Sequence, residues 1–412
     1  MIHKQHERAK EDLVKKLKDA KVVSVTTDAW TLKAVQSFVT YTIYFANPVL
    51  WKLESFVLAT SHFEGSHTGV NLAEATKKVI EKFAIPKRTV QSIVQDEARN
   101  AVAAGKQLKK ENGWEAEICA AHRLQTCIRH AIADCRPLQK LLAAARRVVS
   151  HFHHSSRSLE VLQSRQVAMG VTKAGATLTL KQDIATRWNS SLAMLERLLI
   201  LKLPLLAVIE DPATKCDDTL MLTDDQWSLA KEVVPTLDPF AKATTVLGGE
   251  KYCTSSLVLP VINTLLNGLD APLRNPSATI EKFRKTLAVE LKKKFYLDPL
   301  SPVSLACVSA AMDPRLRSLA FLPLEEDLLA LKTEIKQLAF SLAPTNEPAE
   351  EVVAQPTPAK ISKLSRSKGS DEDALLFFFN TDQCADEVDQ STAVEIEVQR
   401  YFSKKITVQA NA

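Results

Sequence analysis

Two runs of β-branched residues that each lead into an aspartate constrain this chain more than any other feature. Val22–Thr26 reads as a strand ending at Asp28, and Thr89–Val94 as a short buried strand that delivers Asp96. Between them, Phe38–Phe45 and Trp51–Leu58 are rich in β-branched and aromatic residues. The Asn47-Pro48 pair separates these two runs with a turn, so they are expected to form an antiparallel hairpin. A helix is predicted from Gly69 to Phe83, with Leu72, Ala75, Val79, Ile80 and Phe83 on one face and Pro86 as its stop. A second helix covers Ala98 to Lys110, closed by Asn112-Gly113. Three strands, a helix, a strand and a helix in this order predict an α/β fold, a mixed sheet covered by helices. A charged amphipathic helix over 5–20 precedes them, with Leu13, Val14 and Leu17 on its narrow apolar side.

From His122 onward the apolar period changes from two to between three and four. Leu138, Leu141, Leu142, Ala145, Val148, Val149 and Phe152 form one apolar stripe, and further helical patterns run through Ser191–Val208, Thr223–Val234, Ser255–Leu269 and Thr279–Lys293. Residues 343–373 hold four prolines, an acidic patch and then Lys360, Lys363, Arg366 and Lys368, the composition of a disordered linker. A helical pattern resumes around Val388–Phe402. Low glycine and a large apolar fraction fit a globular chain, and no stretch approaches the ~18–20 apolar residues that span a bilayer. The seven cysteines (119, 127, 135, 216, 253, 307 and 384) are odd in number and scattered, which favours reduced thiols over a disulfide framework. The polar N-terminus is not a secretory signal.

Asp28 and Asp96 are the first candidates for chemistry. Carboxylates on neighbouring strand ends can share a pair of Mg²⁺ ions that stabilise the attacking and leaving oxygens of a phosphodiester. The plainer alternative is that an aspartate after a strand caps a turn. Cys119-x-x-His122 followed by Cys127-x-x-His130 resembles a zinc knuckle, but only four residues separate the pairs. Small zinc modules use a longer loop, so buried packing is the preferred reading. Between Lys140 and Arg197 nine Lys/Arg face three acids, a density that suits phosphate but that a solvated helix face also explains. Arg187 could contact a phosphate and Trp188 could stack on an unpaired base; a core tryptophan beside a salt-bridged arginine is the alternative. Asn189 or Ser190 is expected to cap the helix that follows. The His151–His154 run reads as polarity at a helix end.

In order along the chain stand TTDAW around Asp28, VQDEARN around Asp96, CAAH at Cys119–His122, DIATRWNS at Asp183–Ser190, LGGEKYCTSSLVLPVI at Leu247–Ile262 and AAMDPRLRSLAFL at Ala310–Leu322. This series resembles the hAT transposase superfamily, in particular the BED-zinc-finger proteins derived from it. The resemblance implies a ribonuclease H-like α/β mixed sheet with a large all-α insertion domain. Its implied division is an N-terminal helix at 1–20, a core at 21–190, a helical insertion at 191–300, a C-terminal helical part of the core at 301–342, a disordered linker at 343–373 and a partial dimerisation segment at 374–412. It places Asp28 and Asp96 as the first two acids of a metal-binding triad, with Mg²⁺ as the cofactor only if the chain is catalytic. Cys119 and His122 take a structural role, and Arg187, Trp188, His122, Arg146 and Arg147 are the DNA-contact candidates. Two departures weigh against catalysis: Asp96 is followed by Glu97, and no third acid is recognised. The expectation is therefore a nuclear, DNA-associated or transcription-regulating protein without a complete triad, with no cofactor and no membrane. It is expected to lack the BED finger and most of the dimerisation block, and so to self-associate weakly as a homodimer. The alternative is an active transposase performing two-metal phosphoryl transfer.

Overall fold

The computed structural model describes residues 2–337, except 33–35, 48, 49, 51, 174, 212, 213, 215–219, 296–304, 317, 318, 320–328 and 334. The expectations for 343–373 and 374–412 lie outside the described residues.

The first residues form α1 (Ile2–Lys18), which buries Leu13 and Leu17. β1 (Val23–Thr31), β2 (Ser37–Asn47) and β3 (Lys52–His62) follow. Then come α2 (Gly69–Lys82), β4 (Val90–Gln95), α3 (Arg99–Asn112) and β5 (Glu115–Ile118). The strands form one five-stranded mixed sheet in the order β3-β2-β1-β4-β5. β1 pairs antiparallel with β2 and β2 with β3, while β1–β4 and β4–β5 are parallel. The chain is thus a mixed α/β fold, as the strand order predicts. β5 is absent from the sequence-based expectation.

The register follows from side-chain chemistry. Val25 lies between Ile43 and Ile93, and all three are buried. One pair further back, Ser92 Oγ donates to Ser24 Oγ at 2.9 Å across the parallel pair. A one-residue slip would turn the apolar set out of the core, so the pattern holds the pairing. The core is shared by this face of the sheet and by α1, α2 and α3. Thr68 caps α2 by accepting from Asn71 N at 3.2 Å. Gly69 lets α2 and α3 approach closely, because a Cβ there would come within 2.6 Å of Ala103 Cβ. α3 ends at Gly113, whose φ of 74° suits glycine.

Helices follow: α4 (Ala120–Asp134), α5 (Arg136–His154), α6 (Ser156–Ala168), α7 (Trp188–Ile200), α8 (Lys202–Ile209) and α9 (Asp224–Leu247). The break between α4 and α5 falls at Cys135, with a proline in the first turn of α5. The predicted stripe is buried along α5, from Leu138 to Phe152. α10 (Val258–Asp270), α11 (Ala278–Phe295) and α12 (Leu305–Met312) complete the series. The chain divides into two compact units. The first holds Met1–Asp238, Gly248–Cys253 and Pro276–Glu290; the second holds Pro239–Leu247, Thr254–Asn275 and the chain from Leu291. Residues 191–238, grouped above with a helical insertion, therefore cluster with the sheet. No helix among the described residues is long and apolar enough to cross a membrane.

Candidate functional site at the strand ends

β1, β4 and β5 run parallel, so their carboxyl ends share one edge of the sheet. Thr26 pairs with Val94, and Val94 with Glu117. Two residues further along each strand the register carries Asp28, Asp96 and Cys119 to the same level. Paired residues of parallel strands project from the same face. Cys119 N donates to Gln95 O at 2.7 Å and extends the pairing by one bond. Open α/β sheets place ligands at such carboxyl ends.

Cys119 then becomes the N-cap of α4, which puts His122 in its first turn. The two side chains interact. Hydrogen bonding to Cys119 is the main cause that raises the His122 pKa; partial desolvation opposes it, and the charges of Cys119, Asp28 and Asp96 add to the rise. Burial raises the Cys119 thiol, but the His122 side chain and the amides of His122 and Ala121 outweigh it and hold the pKa below the ordinary thiol value. Each side chain thus favours the charged form of the other, and both strand-end aspartates lie within electrostatic reach of the imidazole.

The two aspartates differ. Asp28 is exposed. Asp96 is half-buried, and its Oδ1 accepts from Ala98 N at 3.0 Å, so it also performs the turn-capping role weighed as the plainer alternative. Among the described residues no group of three or more His, Cys, Asp or Glu side chains is disposed to hold a metal ion. Among the described residues this donor set does not fit a complete Mg²⁺ site.

Of the DNA-contact candidates, three are exposed and two are committed inward. His122, Arg147 and Arg187 lie at the surface. Arg146 instead grips Asp183: Nε reaches Oδ1 at 2.9 Å and Oδ2 at 3.0 Å, and Nη2 reaches Oδ2 at 2.7 Å. The Asp183 side chain is 1% exposed and also accepts from Ser191 Oγ at 2.8 Å. Trp188 is 3% exposed, so its indole offers no face to an unpaired base. These two residues depart from the DNA-contact expectation because packing and a buried carboxylate use their surfaces. The cap expectation also shifts. α7 begins at Trp188, while the Ser190 hydroxyl accepts from Ile184 N at 2.8 Å and ties down the preceding turn.

The second Cys–x–x–His pair has a packing explanation. Cys127 Sγ donates to Glu290 O at 3.5 Å, and His130 Nδ1 meets Glu290 Oε2 at 2.8 Å. The histidines ending α5 find local partners: Ser158 Oγ at 3.1 Å for His151, Leu180 O at 3.3 Å for His153 and Ser150 O at 2.7 Å for His154.

Sequence reasoning missed Tyr44 and Glu250. Burial raises the Tyr44 pKa most, Glu250 and Cys119 add to the rise, and a hydrogen bond with Thr26 moderates it. The alternation of β2 could have placed Tyr44 on the outer face. Nothing local could have placed Glu250, which is more than 200 residues from Tyr44 in the sequence.

A family model described as the ZBED1 RNase-like helical domain matches residues 118–236. A Zea mays protein named as an AC transposase is 24% identical over 322 residues, covering 75% of this chain and 38% of its own length. Zinc finger BED domain-containing protein 4 of Homo sapiens is 24% identical over 270 residues, 63% of this chain and 22% of its own length. These matches support a hAT transposase-derived, BED-type protein. A Talaromyces stipitatus relative named as a transcriptional regulator is 24% identical over 285 residues, 63% of this chain and 33% of its own length. The chain thus spans between 22% and 38% of the length of these relatives.

Proposed function

We propose that this chain is a nuclear, DNA-associated protein that has kept a ribonuclease H-like scaffold without a working strand-transfer centre. The strand order and the carboxyl-end placement of Asp28 and Asp96 support the scaffold reading, with the helices after β5 as elaboration. The observation that carries the non-catalytic reading is the state of Asp96. One of its oxygens is spent on the turn into α3, and no third ligand joins it among the described residues. Two-metal catalysis needs carboxylates that clamp both ions at once.

DNA association is supported by the relatives named as a transposase and a transcriptional regulator, and by the exposed Arg147 and Arg187. Neither arginine forms an ion pair among the described residues, so their charge is available to phosphate. Binding to a DNA duplex is expected to weaken steeply with salt, each phosphate-contacting cation contributing a slope of about 0.9 in log K against log salt. The test compares the full chain with its Asp28→Asn and Asp96→Asn variants for Mg²⁺-dependent strand cleavage and for salt-dependent binding. Binding by all three without cleavage supports the reading. Cleavage that disappears in both variants establishes the active transposase instead. Self-association is expected to be weak, and a tight dimer in light scattering overturns that part.

A further inference from the structure

The inner face of the sheet holds a second polar locus beneath the strand ends. Thr27, Val39 and Tyr41 from the sheet, Leu72 and Thr76 from α2, and Gln95 line a cavity of about 30 Å³ that reaches Asp96. Most of a hydrophobic core excludes polar groups that lack partners, because a stranded donor or acceptor costs its full desolvation. This cavity breaks that rule at Tyr41. Tyr41 is 2% exposed, and its hydroxyl has no hydrogen-bond partner among the described residues. The nearby Thr76 hydroxyl donates to Leu72 O at 2.9 Å and does not meet hydrogen-bonding geometry with Tyr41. Gln95 is 4% exposed and also lines the cavity. The room it occupies exists because residue 105 is glycine: a Cβ there would come within 2.2 Å of Gln95 Nε2.

We propose that this cavity is a built hydration site, in which ordered water accepts from the Tyr41 hydroxyl and bonds the Gln95 amide. Size and chemistry both select water. A water needs about 10–15 Å³ of accessible room and two to four polar partners, so about 30 Å³ takes one or two molecules. Burial raises the Tyr41 pKa against the lowering effect of the neighbouring Thr76 hydroxyl, so the phenol stays protonated and can donate. An apolar guest would leave the Tyr41 hydroxyl unsatisfied. The site does not depend on nucleic acid, so a chain that fails to bind DNA still has it.

Tyr41→Phe separates the two states of the cavity by the sign of its effect. If water bridges the hydroxyl, removing it strips an anchor from a satisfied network, and the melting temperature falls by about 2–4 °C. If the cavity is dry, the substitution removes a stranded hydroxyl, and the melting temperature holds or rises. A crystal structure of the wild-type chain at a resolution that orders internal solvent supplies the second readout. Density for a water within hydrogen-bonding distance of both Tyr41 Oη and the Gln95 amide is expected. An empty cavity, or a Tyr41→Phe variant at least as stable as the wild type, overturns the proposal.

Discussion

Two aspartates, Asp183 and Asp28, carry the same charge in opposite circumstances. Asp183 lies behind Arg146, Ser191 and Gln182 and shows water almost nothing. Asp28 stands exposed at a strand end, with the His122 imidazole close enough to feel its charge. The first carboxylate is a clasp that fixes the turn ahead of α7 to α5. The second is unspent charge on the surface. The comparison teaches that a basic residue near an acid in the fold says little about ligands until its donors have been counted. Arg146 and Arg147 are adjacent in the chain, yet only Arg147 keeps its donors for a partner.

The sharpest way to break this contrast is at the clasp. If Trp188 belongs to the packed side, Trp188→Ala lowers unfolding free energy by about 3–5 kcal/mol in urea titration. A surface tryptophan would lose almost nothing. Arg146→Ala leaves a buried carboxylate with fewer partners. Its cost is about 2–3 kcal/mol, reduced by the partial exposure of the guanidinium. The pH dependence follows from the Asp183 shift. Burial raises its pKa, but the bonds from Arg146, Ser191 and Gln182 pull it below the ordinary value. A group depressed in the folded state adds stability above its unfolded pKa and loses it as pH falls through the folded one. The advantage of wild type over Arg146→Ala should therefore shrink below about pH 4 in acid-unfolding curves.

At the strand ends the effects move from stability to reactivity. His122→Ala removes the side-chain contact that does most to lower Cys119 and leaves only the two backbone amides to oppose burial. The pH midpoint of Cys119 alkylation, followed by peptide mass analysis, should then move up and its rate at neutral pH fall several-fold. An unchanged midpoint would break the assigned pairing. The smallest structural effect belongs to Arg147→Ala and Arg187→Ala, each expected within about 0.5 kcal/mol of wild-type stability. Each should still reduce the salt slope of DNA binding by about 1.

Much of the sheet was legible because its signals are local. The β-branched runs, the Asn47-Pro48 turn and the Asn112-Gly113 stop mark β1 to β4 and α3 to within a few residues. β5 was not legible, since Glu115-Ala-Glu-Ile is four residues long and alternates acids with apolar residues. The predicted end near Val234 also failed: α9 runs on to Leu247 through Pro235 and Pro239. At the candidate site, Asp28, Asp96 and the Cys119–His122 pair announced themselves by position after strands and by helical spacing. The Arg146–Asp183 clasp spans 37 residues and joins two segments whose mutual placement only tertiary packing decides. The burial of Trp188 has the same cause.

The parallel pairing of β1 with β4 links Ser24 to Ser92 across a separation of 68 residues. Closing so long a loop costs entropy before any contact repays it, whereas the β2–β3 hairpin closes locally. The polar edge that holds Asp28, Asp96 and Cys119 is consequently expected to form after that hairpin. A ribosome-bound or partly unfolded chain can own every one of these residues and still lack the edge. The rate of Cys119 alkylation is therefore expected to report on completion of the sheet.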